Sequence, residues 1–337
     1  MKANQSIRTL DDFRRIAYGF RLPRICLTAL DLDLFTIMNT RAWTIPNLAK
    51  KMNVSERGLS ILCRNLASAG LLRKHGTQYR SSHLGQTMLN AQSPEYRGAY
   101  LDLMRQQWDD WSLLTQSVKS GKPVEEQGPE DPEYRRAFTW AMHYRSLEAA
   151  KHVAKQMVFP RAQSLLDVGG GPGTFALEFL RRNAQLQATV WDRLAALDVA
   201  REIAASCRYG SRLSYHAGDF LQDPPPGKFD VIWLSNAIHI YSPQENTALF
   251  RTLRSALNPG GSLLIQDTFL SDKDGLYPAD TNLFAVTMLL FTQTGNTYHS
   301  TEIQTWLKKA RLSKTKLIRL QKGTGDWEGV LIEARHT

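Results

Sequence analysis

Beyond residue 160 the apolar residues come in short, dense blocks separated by turn residues, and between the blocks they recur at helical spacing. Leu165, Leu166 and Val168 form the first block, bounded by polar and glycine positions as a parallel strand covered on both faces should be. Further strands are predicted over 187–191, 213–218, 229–236 and 261–269, with helices over 243–257 and near 282–291 and 301–310. Two last runs, 314–320 and 327–335, are expected to close the sheet as an antiparallel pair. Strands alternating with helices predict a doubly wound α/β sheet, mostly parallel, with ligands at the carboxyl ends of its strands.

The pattern upstream is different. Phe13, Ile16, Phe20, Ile25, Leu27, Ala29, Leu30, Leu34 and Phe35 recur at roughly helical spacing, with Pro23 marking a break between two helices. The stretches 44–52 and 55–70 read as helix, turn and helix, with Ser55 capping the second and Gly70 ending it, and 71–82 supplies two short strands around Gly76. Together they predict a winged helix. Residues 95–160 read as connecting helices, with Trp108 and Trp111 three apart, a polar surface loop over 121–133 and a helix from Tyr134 carrying Phe138, Met142 and His143. The division expected is therefore an N-terminal domain over 1–105, connecting helices over 106–160 and a catalytic domain over 161–337.

Composition changes this picture little. At 337 residues, 42% hydrophobic and 22% charged, the chain has room for two cores and the balance of an ordinary globular protein. Cys26, Cys63 and Cys207 lack metal-ligand spacing and read as buried thiols in a reducing compartment, and no metal is expected. No run has the length to span a membrane and the first residues carry no apolar signal core, so a cytoplasmic protein is expected. The charge is uneven: residues 1–110 hold 16 Lys/Arg against 9 Asp/Glu, most of the chain's surplus of +10. A basic winged helix raises DNA binding through Arg57 and Arg64 on its second helix and Arg73, Lys74 and Arg80 on its wing. The same helix carries Leu59, Ile61, Leu62 and Leu66, which suit packing better, and a solvated face explains the charges equally well.

The candidate chemistry begins after the first strand of the second half. Gly169, Gly170, Gly171 and Gly173 let the backbone bend sharply and approach a ligand, and Pro172 stiffens the bend. Counted from Gly169, a dinucleotide fingerprint would need a small residue where Thr174 stands, which disfavours NAD. The next two strands each end in an acid, Asp192 and then Asp219, the latter followed by Phe220. Acids at successive strand tips suit one nucleoside, with one carboxylate on the ribose, the other on an adenine amino group, and Phe220 against the ring.

These residues resemble class I S-adenosylmethionine-dependent methyltransferases: LLDVGGGPGTF is similar to their first motif, VWD to their second and GDF to their third. The segment DVIWLSNAIHIYSPQENTALFRTLRSALNPGGSLLIQD, 230–267, is similar to the plant caffeate and hydroxyindole O-methyltransferases and their bacterial relatives of secondary metabolism. The resemblance runs over nearly the whole chain. It implies a Rossmann-like catalytic domain and an N-terminal winged helix that forms a homodimer rather than binding nucleic acid. It also implies S-adenosylmethionine held by Asp167, Gly169, Gly170, Gly171, Asp192, Asp219, Phe220 and Ser235, the last standing where the family has a lysine.

Methyl transfer to a hydroxyl needs a base to take the hydroxyl proton. His239, just past the carboxyl end of the fourth strand, matches the family's catalytic histidine, and Asp267, at the end of the fifth, matches an acid that flanks it. A histidine beginning a helix and an acid capping one is the plainer alternative. The surroundings depart from the plant pattern: Ile240 replaces an acid, Tyr241 a tryptophan and Thr297 a second acid. Phe284, Met288 and Phe291 share a helical stripe, and Met288 matches the family's acceptor-clamping methionine. With Phe138 and Met142 they are the expected contacts of a flat aromatic substrate, a core-packing stripe being the alternative. The altered surroundings also leave room for a family member that binds the cofactor but performs a decarboxylation, hydroxylation or cyclisation.

Overall fold

The computed structural model describes residues 7–124, 132–321 and 329–335. Most of the polar loop expected at 121–133, the first two residues of the run 327–335, and His336 lie outside the described residues. By contact, the chain separates into two units, Met1–Trp108 and Asp109–Thr337.

The first unit opens with α1 (Leu10–Ala17), α2 (Arg21–Asp31) and α3 (Leu34–Met38). The break between the first two helices falls ahead of Pro23, which sits inside the first turn of α2, where its missing N–H leaves no bond unmade. A second break, which the periodicity hides, comes at Asp33 in the left-handed region. There follow β1 (Trp43–Thr44), α4 (Ile45–Met52), α5 (Glu56–Ser68), β2 (Leu72–His75), β3 (Gln78–Ser81), α6 (His83–Met88) and α7 (Gly98–Gln106).

The winged-helix expectation holds in its details. Ser55 caps α5 by accepting from Gly58 N–H, and Gly70, at φ +78°, lets Leu71 N–H return to the Leu66 carbonyl. Leu59, Cys63 and Leu66 face inward with Leu34, Phe35, Met38 and Tyr79, while Arg57, Arg64, Arg73, Lys74 and Arg80 are exposed. Helix α1 buries nothing within the chain, and Leu10, Phe13 and Ile16 are each more than half exposed.

The second unit contains α8 (Leu114–Ser120) and α9 (Pro132–Gln156), then β4 (Ser164–Val168), α10 (Thr174–Arg182), β5 (Gln187–Asp192), α11 (Leu194–Ala205) and β6 (Leu213–Ala217). Next come β7 (Phe229–Ser235), α12 (Pro243–Ser255), β8 (Leu257–Gln266), β9 (Phe269–Leu270), α13 (Ala279–Phe291), β10 (Tyr298–His299), α14 (Ser300–Lys309), β11 (Lys314–Arg319) and β12 (Val330–Arg335). The seven-stranded sheet has the order β11-β12-β8-β7-β4-β5-β6. The strands from β8 to β6 run parallel, and β12 is antiparallel to both its neighbours.

Alternation along the strands sends side chains to two separate cores. Leu166, Val168, Trp191, Ile232, Leu234 and Ile265 pack with α12 and α14 on one face. Leu165, Val190, Trp233 and Leu264 pack with α9, α10 and α11 on the other. Each such side chain, removed from water, contributes about 1.5–3 kcal/mol. Burial on both faces is what makes these strands read as unbroken apolar runs. The chain leaves β4 toward β5 and β6 on one side and reaches β7 and β8 on the other, so the crevice of a doubly wound sheet opens beyond the carboxyl ends of β4 and β7.

Candidate active site

The bend between β4 and α10 divides its glycines by task. A Cβ on Gly169 would stand 3.2 Å from the Phe220 ring, and one on Gly170 would stand 2.5 Å from the Asp167 carboxyl carbon. Those two glycines admit neighbouring side chains. Gly171, at φ +50°, would point a Cβ toward Asp192 Oδ2, 3.9 Å away, with no other atom within 4 Å, so this is the open part of the bend.

Asp192, at the tip of β5, locks the bend. Its Oδ2 accepts from Gly171 N–H at 2.7 Å and its Oδ1 from Arg193 N–H at 2.7 Å. Burial raises its pKa, and those two N–H groups followed by the charges of Arg135 and Arg193 oppose the rise. Each carboxylate oxygen keeps a further lone pair for a hydroxyl donor. Asp219 is occupied by its own turn: Oδ1 accepts from Leu221 N–H at 3.0 Å, and the Arg193 guanidinium lies 4.0 Å from Oδ2. Phe220 is 9% exposed, set edge-on between Trp191 and Tyr241. At Gly171, where among the described residues only Asp192 comes within 4 Å of a Cβ, an open stretch of backbone beside a carboxylate with acceptor capacity fits an adenosyl group.

Asp167 and Ser235 stand apart from that face. Asp167 is fully buried under the bend, where its Oδ2 accepts from Ala176 N–H at 3.3 Å. Ser235 donates to Gln266 Oε1 at 3.1 Å and accepts from Asn236 Nδ2, a neutral pair at the end of β7 and β8. Burial pushes the Asp167 carboxyl up to about 8 from an ordinary 3.8, so the folded state holds a proton that the unfolded state has released between those values. The stability this group contributes is complete below about pH 4 and declines as the pH rises toward 8. Asp167→Asn, neutral throughout, is expected to flatten that decline in denaturant midpoints taken between about pH 5 and 8. An identical slope in variant and wild type would show that Asp167 is ionised in the fold.

His239 lies in a short 3-10 turn, Ile238–Ile240, just beyond β7, and is 7% exposed. Its Nδ1 meets Asp267 Oδ1 at 2.8 Å, and the same oxygen accepts from Thr268 N–H at 2.8 Å. With Nδ1 donating to a carboxylate, Nε2 carries the free lone pair. The Phe284 ring packs edge-on against the imidazole with centroids 4.7 Å apart. Met288 is buried, and Phe138, Met142 and Phe291 are half-buried.

Several contacts escaped the sequence. His143 Nδ1 meets the Thr174 hydroxyl at 2.8 Å, tying α9 to the first residue of α10. The loop after α13 reaches the His239 backbone, and a two-residue parallel ladder joins β9 to β10. A helical stripe on α9 hinted at the first. The others have no local signal, since they join residues remote in sequence and too few to leave a period.

A family profile for the O-methyltransferase domain matches residues 85–313, and one for the O-methyltransferase dimerisation domain matches 15–91. The chain is 28% identical over 318 residues to the tetracenomycin polyketide synthesis 8-O-methyl transferase of Streptomyces glaucescens, covering 92% of this chain and 93% of that one. It is 26% identical over 311 residues to the 3-hydroxy-5-methyl-1-naphthoate 3-O-methyltransferase of Streptomyces sahachiroi, covering 90% of each. The solved structure of an O-methyltransferase family protein from Burkholderia thailandensis superposes with a TM-score of 0.88 at 26% identity, covering 98% of this chain and 99% of that one.

Proposed function

The chain belongs to the O-methyltransferase family, and from that premise we propose that it methylates a hydroxyl of a small aromatic metabolite, using S-adenosylmethionine and His239 as general base. The observation that carries the reading is the His239–Asp267 pair, 2.8 Å apart at adjacent strand ends beside the crevice that Gly171 and Asp192 border. When bound, S-adenosylmethionine supplies a methyl group already activated on a sulfonium. The protein must therefore place a hydroxyl and take its proton. An aromatic hydroxyl has a pKa of about 10 in water, so a base at contact distance contributes roughly 10² to 10⁴ in rate.

In this reading the Gly171 backbone and Asp192 hold the ribose side of the nucleoside, with Asp219 and Phe220 toward its base and Asp167, Gly169, Gly170 and Ser235 shaping the bend around it. Asp267 fixes the histidine tautomer and offsets the charge it gains. Phe284 touches the base itself, and the rest of the α13 stripe, with Phe138 and Met142, belongs to the acceptor side. Two curated relatives, named for 8-O-methylation in polyketide synthesis and for 3-O-methylation of a hydroxynaphthoate, support a flat aromatic acceptor. The division into a dimerisation module over 1–105, connecting helices and a catalytic module over 161–337 belongs to the same reading. So does a homodimer, supported by the match to a dimerisation domain and by the uncovered apolar face of α1. Among the described residues no helix is long and apolar enough to cross a membrane.

The test is incubation of the protein and S-adenosylmethionine with a panel of hydroxynaphthoates and hydroxylated polycyclic aromatics, read by mass spectrometry. A product heavier by one methyl group, with equimolar S-adenosylhomocysteine, is expected. A transformed acceptor without cofactor consumption would overturn the reading in favour of non-methylating chemistry.

A further inference from the structure

His239 is held twice by one stretch of chain. Helix α13 sets Phe284 against its ring, and the segment leaving that helix returns to its backbone, where Asn296 N–H donates to the His239 carbonyl at 2.9 Å. Gly295 lies so close that a Cβ on it would stand 2.4 Å from the Thr292 hydroxyl oxygen, 2.5 Å from the His239 carbonyl oxygen and 3.0 Å from that of Ile240. The limit at Gly295 is space, since its φ is outside the left-handed region. The segment is fastened back to α13 because the Thr292 hydroxyl donates to the Met288 carbonyl at 2.7 Å and accepts from Gly295 N–H at 3.0 Å. On its other side the Thr294 hydroxyl donates to Glu245 Oε2 at 2.7 Å and accepts from Ser242 N–H at 3.1 Å, while the Tyr298 hydroxyl donates to the Tyr241 carbonyl at 2.6 Å.

We propose that the segment 292–297 is a positioning device for His239, with Gly295 and Thr292 as its determinants, a reading that rests on His239 being the base. It fixes the carbonyl of the residue whose ring must stand between Asp267 and the acceptor hydroxyl. A methyl group at Gly295 would collide with both the Thr292 hydroxyl and that carbonyl, and relieving the clash parts the segment from the His239 backbone by roughly 1 Å, a misplacement of the size that costs about 10²-fold in rate. Because the same segment is an extension of α13, whatever packs on that helix also bears on where the base stands.

The experiment reads the ring directly. In isotopically labelled protein saturated with S-adenosylhomocysteine, the Nδ1 proton of His239 is assigned by its loss in His239→Ala, and its exchange with water is followed by NMR. Gly295→Ala is expected to speed that exchange by about tenfold or more and to cut turnover on the best hydroxynaphthoate of the panel by about 10²-fold, with calorimetric affinity for S-adenosylhomocysteine unchanged. Thr292→Val, which removes the hydroxyl bonds without adding bulk at the contact, is expected to shift exchange in the same direction, and Thr292→Ser to behave as wild type. Wild-type exchange in Gly295→Ala overturns the proposal. Should that variant fail to fold, wild-type exchange in Thr292→Val overturns it, as does a loss of cofactor affinity equal to the loss of turnover. Faster exchange in Gly295→Ala beside a fully active His239→Ala would support the bracket and overturn the general-base reading instead.

Discussion

His239→Ala is expected to lower turnover by about 10² to 10⁴ while leaving the affinity for S-adenosylhomocysteine unchanged. The separation follows from geometry. The imidazole is committed to Asp267 at 2.8 Å and to the Phe284 ring, whereas the bend at Gly171 is held by Asp192. On the proposed reading, removing the ring takes away the proton acceptor and leaves the nucleoside side intact. Asp267→Asn sharpens the test. An asparagine can offer its amide N–H to Nδ1, which favours the tautomer with its proton on Nε2, where an acceptor hydroxyl would meet a donor in place of a base. In a hydrolytic triad the corresponding change costs about 10⁴, and a loss of at least about 10² is expected here, read as kcat on a fixed acceptor with saturating cofactor. Full turnover in His239→Ala would remove the base from the reading. A large loss in Asp267→Asn together with a fully active His239→Ala would place the chemistry on another partner of Asp267.

What could be read from the sequence was local or periodic. The bend 169–173 announced itself because four glycines cannot serve a strand or a helix, and its strand because burial on both faces leaves an unbroken apolar run. Ser55 and Gly70 were legible as helix ends since capping is a property of one residue and its near neighbours. The break assigned to Pro23 was displaced for a physical reason: proline is disfavoured inside a helix but accepted in its first turn, so it marks a start as readily as a stop. The glycines show a subtler limit. Their spacing proclaimed a backbone meant to be approached, but not by what, and two of the three named for the ligand admit Phe220 and Asp167. The loop at 292–297 was tied to His239 only by the resemblance, through Thr297, because a polar stretch without period carries no sign of its own of the residue it touches.

Asp192→Ala is expected to weaken binding of S-adenosylmethionine and of S-adenosylhomocysteine by about 10² or more. On the proposed reading the carboxylate has two duties. It accepts from Gly171 N–H at 2.7 Å, which holds the bend in its left-handed form, and it keeps acceptor capacity for the hydroxyls of a ribose. A hydrogen bond to a charged group contributes about 1.5–3 kcal/mol, and a factor of ten in affinity is about 1.4 kcal/mol, so two such bonds account for the expected loss. Asp192→Asn separates the duties. Its one carbonyl oxygen serves either the bend or the sugar, and an intermediate loss of roughly tenfold is expected, with thermal stability closer to wild type than in the alanine variant. Calorimetric titration reads both variants against both ligands. Because the proposed site grips the nucleoside and not the sulfur, the alanine variant should lose affinity for the charged and uncharged ligands alike. Unchanged binding in Asp192→Ala would mean that the edge of the crevice that Gly171 and Asp192 border is not where the nucleoside sits.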